Sequence, residues 1–339
     1  MTDVPSTIDD REDRAYATLA GLAVGDALGM PTQSLTREQI EEEFEPVLET
    51  FHASRPDHPF AAGLAAGTVT DDTEQALILA QELVVSREHF DARGYARRLV
   101  EWEQDVARRG LLDLLGPSTK QALENIEAGM DPEESGRGGS TNGAAMRVAP
   151  VGIVCDSADV GGLVELVLEV SALTHNTEVA LSGAVAVAAM ISAGIDGASL
   201  DDGIRYSLEA TKLVESRYPA DGSFRISDRI ERAVVIGRQF KGSELIDVVG
   251  RDIGTSLATV ESVPAAFAVL VANRDDGWMA CRIAASLGGD TDTIGAITGA
   301  MSGALRGPAT FPPWAIEKVQ AVNRLELTRV ARELVRARR

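Results

Sequence analysis

Glycine recurs at every fourth position through Gly295, Gly299, Gly303 and Gly307, with Ala296, Ala300 and Ala304 beside the first three. Four residues is close to one helical turn, so these glycines share a face. A face without side chains lets another backbone approach closely. The spacing therefore predicts a tightly packed central helix. In a membrane such spacing marks dimerisation, but this apolar run is too short to span one. Composition extends the argument to the whole chain. Of 339 residues 32 are Gly and only 4% are aromatic, while 45% are hydrophobic. That profile suits a globular core packed through small side chains.

Strand signals are scarce, with no alternating Val/Ile/Thr hairpins, so the expected fold is all-α. The first helix begins near Arg14 and is expected to end in the glycine-rich run Gly21–Gln33. Further helices are expected over 70–85, 91–109, 117–128, 160–172, 177–195, 201–216, 229–240, 243–257, 262–273, 276–286, 292–305 and 314–336. The composition of 131–140 and 217–228 reads as loop. Residues 1–11 read as a disordered polar arm and 12–339 as one domain, because no linker interrupts the chain and its motifs lie in its first, middle and last thirds. The apolar stretch Val179–Ile195 approaches membrane-span length, but it is rich in Ala and Gly and poor in Leu and Phe. It reads as a buried core helix.

Lys and Arg total 32 against 52 Asp and Glu, a formal charge of -20. A field of that sign repels phosphate backbones, which argues against nucleic acid as a partner, and it suits cation binding. Cys155 and Cys281 form no CxxC pair, which argues against a disulfide framework and a zinc–thiolate site. The polar, acidic N-terminus lacks the features of a signal peptide, and a cytoplasmic location without membrane attachment is expected.

Two segments carry chemistry. Thr70-Asp71-Asp72-Thr73 and Asp290-Thr291-Asp292-Thr293 each set two carboxylates and Thr hydroxyls just before an apolar helix. Either alone reads as helix capping, where Asp and Thr satisfy free N–H groups. Together they ask for a cation, because carboxylates packed near a core repel one another unless neutralised. Oxygen-only ligands suit a hard ion such as Mg²⁺, Mn²⁺ or Ca²⁺ and disfavour zinc.

The ordered set GLAVGDALG, TVTDDT, NGAAMRVAP, Thr174-His175 and GGDTDTIGAITGA resembles the ADP-ribosylglycohydrolase family from about Gly21 to Gly307. The resemblance implies a single-domain orthogonal helical bundle, a site for two Mg²⁺ or Mn²⁺ ions, and hydrolysis at the anomeric carbon of a ribose. By motif position it implies Thr70, Asp71 and Asp72 as one ligand group and Asp290, Asp292 and Thr293 as the other. Asp71 or Asp292 would take the proton of the attacking water. Gly138, Gly139, Ser140, Thr141, Asn142 and Gly143 resemble the substrate loop, and His175 a residue near the ligand. The expected partner is an ADP-ribosylated protein or a ribosyl small molecule. Asp26 is expected to be buried and bonded to backbone amides, and Arg147 to be an internal partner for a carboxylate.

Two departures bear on the substrate. Many hydrolytic members carry Glu seven residues after the GDALG aspartate, where Gln33 stands here; an amide oxygen coordinates weakly and is no general base. Residues 131–142 contain no aromatic ring to stack adenine. Both favour, as an alternative, an N-glycosidase of a smaller ribosyl or nucleoside metabolite. A further alternative is a non-catalytic structural member of the fold.

Overall fold

Thr7 opens the first helix with a capping box: its side chain accepts from the Asp10 N–H, and the Asp10 carboxylate accepts from the Thr7 N–H. Helix α1 then spans Ile8–Gly29. It begins inside the stretch expected as an arm and ends, as expected, within the glycine-rich run, at Gly29. The computed structural model describes residues 7–86, 89–111, 116–218 and 225–339. Residues 1–6 of the expected arm and 219–224 of the expected loop lie outside them.

After α1 come α2 (Arg37–Glu43), α3 (Asp71–Val85), α4 (Ala92–Arg108), α5 (Pro117–Glu127) and the single turn α6 (Pro132–Ser135). The short helices α7 (Gly143–Arg147) and α8 (Ala149–Val154) precede α9 (Val160–Ala172), α10 (Glu178–Ile195) and α11 (Leu200–Glu215). The last third holds α12 (Ile226–Gln239), α13 (Gly242–Asp252), α14 (Thr259–Ala272), α15 (Gly277–Ala284), α16 (Thr291–Arg306), α17 (Pro313–Asn323) and α18 (Leu327–Arg336). Among the described residues there is no strand, and Thr141 and Ala258 form an isolated antiparallel bridge. The all-α expectation holds.

Two helix boundaries differ from expectation for backbone reasons. The single helix expected over 314–336 is two, because Arg324 adopts the left-handed conformation (φ 55°) that closes α17. The helix expected to reach 257 stops at Asp252, ahead of Gly254 at φ 90°. The residues it releases, Thr255–Leu257, become a strap across the site.

The predicted central helix is α16, and its partner is α1. The two run antiparallel with glycine facing glycine. A Cβ built on Gly25 would stand 1.9 Å from the Gly295 carbonyl oxygen, and one on Gly21 2.2 Å from that of Gly299. A Cβ on Gly303 would meet the Ala17 carbonyl at 2.0 Å. At Gly21, Gly25, Gly295, Gly299 and Gly303 no other residue type fits. One contiguous apolar core surrounds it, and α10, the long apolar run, is buried there as expected. The seam matters for function because it lays the C-terminal end of α1 beside the N-terminal end of α16.

Candidate active site

Asp26 comes from α1 near that junction and reaches the start of α3. Its carboxylate accepts from the backbone N–H groups of Thr70 and Thr73, at 3.0 and 3.1 Å, and from the Thr73 hydroxyl at 2.5 Å. It thus caps α3 from another helix, in the structural role expected. Thr70, the N-cap residue of α3, and Asp290, that of α16, make no side-chain cap of their own. The capping explanation of the two clusters therefore fails for both N-cap residues.

The clusters meet. The Thr293 hydroxyl lies 3.4 Å from Asp72 Oδ2 across 221 residues of sequence, and the Thr70 hydroxyl lies 3.2 Å from the same oxygen. Asn142, at the start of α7, donates its amide to Asp290 Oδ2 at 2.5 Å and to the Ser262 hydroxyl at 2.9 Å. The strap fixes the surroundings: the Asp290 N–H donates to the Thr255 carbonyl and the Asn142 N–H to that of Leu257.

Asp26, Asp71, Asp72 and Asp292 are buried and Asp290 is half-buried, and no Arg, Lys or His among the described residues makes an ion pair with any of them. Burial, with the charge of neighbouring carboxylates, raises the pKa of Asp71, Asp72 and Asp292 well above the usual range. Burial likewise raises Asp290, against hydrogen bonds from Asn142 and Thr293, and pushes Asp26 up to about 6 against its own hydrogen bonds. Asp72 Oδ1, Asp292 Oδ2 and Gln33 Oε1 are buried with no hydrogen-bond partner. An orphaned buried oxygen costs about 1–3 kcal/mol, and more when charged. Three such oxygens of hard-ligand chemistry in one cluster fit a divalent cation.

Among the described residues no three His, Cys, Asp or Glu side chains gather into a ready-made ligand group. The carboxylates are close enough to raise one another electrostatically, Asp72 by Asp292, Asp26, Asp71 and Asp290, and Asp292 by Asp290, Asp26 and Asp71. Magnesium is commonly held by only one or two carboxylates, with waters and substrate oxygens completing its shell. The orphaned oxygens are therefore the more telling observation.

A cleft opens over the cluster, lined by Gln33, Asp71, Thr141, Asn142, Gly143, Asp290 and Thr293. Its apolar side comes from Phe60, Pro117, Met146 and Leu257. Of the expected substrate loop only Thr141, Asn142 and Gly143 reach the cleft. Gly138 and Ser140 are exposed, and Gly139 packs on the Thr174 carbonyl. His175 is fully buried behind the loop, 3.0 Å from the Thr141 hydroxyl, and Asp292 lies beneath the cleft floor. Arg147 departs from expectation: it partners no carboxylate but donates to the Gln75 amide oxygen at 2.7 Å, and Gln75 in turn donates to Asp71.

Phe60 and His58 were not foreseen. His58 accepts on Nδ1 from the N–H groups of Phe60 and Ala61, and its Nε2 lies 3.0 Å from the Gln33 carbonyl. It therefore ties the Phe60 loop to the Gln33 turn. The stretch Arg55–Phe60 reads only as loop, and nothing local marks its ring as a cleft wall. The aromatic ring missing from 131–142 is supplied from here.

The ADP-ribosylglycohydrolase family model matches residues 7–339. The chain belongs to that family. It is an enzyme of the glycoside hydrolase kind. It is 32% identical to the uncharacterized protein YegU of Escherichia coli K12 over 97% of this chain and 98% of that one. It is 30% identical to the ADP-ribosylarginine hydrolase Tri1 of Pseudomonas putida GB-1, over 91% of this chain and 74% of Tri1. A solved chain from an ADP-ribosylglycohydrolase-related protein complex superposes with TM-score 0.71 at 27% identity, over 97% of this chain and 99% of that one.

Proposed function

We propose that this enzyme removes ADP-ribose from a modified acceptor by cation-assisted hydrolysis at the anomeric carbon of the ribose. The observation that carries the reading is the meeting of two remote Asp/Thr clusters, with orphaned oxygens, on the floor of one cleft. Asp71, Asp72, Asp290, Asp292 and Thr293, with Thr70 and the Gln33 amide oxygen close by, would hold two Mg²⁺ or Mn²⁺ ions. Bound there, the ions supply Lewis-acid stabilisation of developing charge and activate water.

The remaining work falls to the protein's own groups. Asp71 borders the cleft whereas Asp292 lies beneath it, so Asp71 takes the proton of the attacking water and Asp292 serves the cation. Asn142 spends its amide protons on Asp290 and Ser262, which leaves its side-chain oxygen for the ligand. Phe60 offers a flat apolar face to a base, and Met146, Pro117 and Leu257 keep water from the reacting bond. Gln33 occupies the place of a carboxylate without its charge. It serves as a neutral ligand or a contact to substrate hydroxyls, and takes no part in proton transfer.

Phe60 also bears on substrate size. An aromatic wall in the cleft supports recognition of the adenosine half, so ADP-ribosyl substrates are preferred to smaller ribosides. The test is incubation with ADP-ribosyl-arginine, an ADP-ribosyl-serine peptide and a nucleoside panel, with Mg²⁺ or Mn²⁺ and with EDTA. Release of ADP-ribose that stops in EDTA is the expected result. Cleavage of nucleosides alone, or turnover undiminished by EDTA, would overturn the reading.

A further inference from the structure

The guanidinium of Arg147 is buried, lies 6.0 Å from the centre of the Tyr95 ring and meets no carboxylate. An arginine can only donate, so every group it touches has its hydrogen-bond direction set by it. We propose that Arg147 is a two-armed positioning residue. One arm, through Gln75, holds Asp71; the other, through Thr174 and His175, makes the Thr141 hydroxyl a hydrogen-bond donor into the cleft.

The first arm is short. Arg147 Nη1 donates to Gln75 Oε1 at 2.7 Å, which leaves the amide nitrogen on the opposite side to donate to Asp71 Oδ2 at 3.1 Å. The reverse amide orientation would set NH₂ against guanidinium and oxygen against carboxylate. Arg147 thus turns the donor end of the Gln75 amide toward Asp71.

The second arm sets a tautomer. Arg147 Nη2 donates to the Thr174 hydroxyl, so the Thr174 proton goes to its other neighbour, His175 Nδ1, at 2.8 Å. The alternative leaves that proton without an acceptor in a fully buried place, which native structures rarely tolerate. A neutral imidazole whose Nδ1 accepts carries its proton on Nε2. Burial and the nearby Arg147 charge keep His175 neutral by lowering its pKa well below the usual value. Nε2 then donates to the Thr141 hydroxyl at 3.0 Å. The Thr141 proton has no protein acceptor among the described residues, and Thr141 lines the cleft. It is left to meet an acceptor oxygen of the ligand. Gly143 boxes the ring in, since a Cβ there would stand 2.7 Å from His175 Cε1.

The relay stands on this geometry alone; its ligand rests on the function proposed above, and the experiment separates the two. Long-range ¹H–¹⁵N NMR of the full chain at neutral pH reads the tautomer, with His175 assigned by comparison with His175→Gln. The expected result is an unprotonated Nδ1 and a protonated Nε2. A proton on Nδ1 in the wild type would overturn the relay, whatever the variants do. Thr174→Val should disturb the tautomer and Thr174→Ser restore it. In ADP-ribose binding, Thr141→Val should lose about 10- to 100-fold in affinity, the worth of one hydrogen bond to a charged group, while Thr141→Ser stays near wild type. Wild-type tautomer and affinity in Thr174→Val would also overturn the relay. The assigned tautomer with no ADP-ribose binding by the wild type would sink the proposed substrate and leave the relay in place.

Discussion

The seam between α1 and α16 and the carboxylate cluster at its end, which α3 completes with Asp71 and Asp72, follow opposite rules. Along the seam the backbones touch, with only glycine or alanine at the facing positions. At the cluster, acidic groups are buried against one another and oxygens go unpartnered. The rigid seam is what makes the cluster tolerable, because side chains that repel cannot move apart when their backbones are locked. The difference teaches where this protein keeps its stability and where it stores unmet binding capacity.

The largest effect is expected from breaking the seam. Gly25→Leu would drive a side chain into the Gly295 carbonyl, and should cost about 3 kcal/mol or more. Circular dichroism and thermal melting would show this as loss of the folded protein. A well-folded variant with an unchanged melting temperature would break the distinction between the two regions.

The cluster should answer in the opposite way. Asp72→Asn and Asp292→Asn are expected to reduce turnover about 100- to 1,000-fold while raising the melting temperature in EDTA. Adding Mg²⁺ should raise the melting temperature of the wild type more than that of either variant. Destabilisation in EDTA would show the carboxylates to be structural.

The pH dependence sharpens this point. Asp71, Asp72 and Asp292 have raised pKa values in the folded protein, and Asp26 one of about 6. A carboxyl group raised on folding contributes stability that is complete below its ordinary pKa and is lost as pH climbs through the raised one. In EDTA the gap in melting temperature between Asp72→Asn and wild type should therefore open above the ordinary value of 3.8, favouring the variant, and widen as pH climbs through the raised one. Excess Mg²⁺ should narrow it. A gap that closes with rising pH would contradict the assigned electrostatics.

The smallest effect is expected at the rim. Phe60 is 36% exposed, so Phe60→Ala should leave the melting temperature alone and weaken ADP-ribose binding about 3- to 10-fold, the worth of one aromatic contact. Calorimetry on the two proteins measures it. Unchanged affinity would place the base elsewhere.

Much of this was legible in the chain. The four-residue glycine spacing marked α16 as a close-packed helix, because close backbone approach demands glycine, and the two Asp/Thr clusters were singled out before the fold brought them together. The partner of the seam was not legible. Gly21, Gly25 and Gly29 have the same spacing, but nothing local shows that they face Gly299, Gly295 and Thr291; that pairing depends on how distant helices dock. The Thr255–Leu257 strap was hidden for a related reason, as an apolar, helix-compatible stretch whose backbone is claimed by Asp290 and Asn142.

By itself the sequence determined the helical class, the oxygen-rich chemistry and the family, because periodicity and residue type are local properties. Only the tertiary structure decided that Asp71 borders the cleft while Asp292 lies beneath it, that Phe60 supplies the aromatic wall, and that Arg147 serves an amide and a hydroxyl instead of a carboxylate. Those outcomes depend on which distant surfaces meet and which hydrogen-bond donors remain unspent once they do. No stretch of chain carries that information on its own.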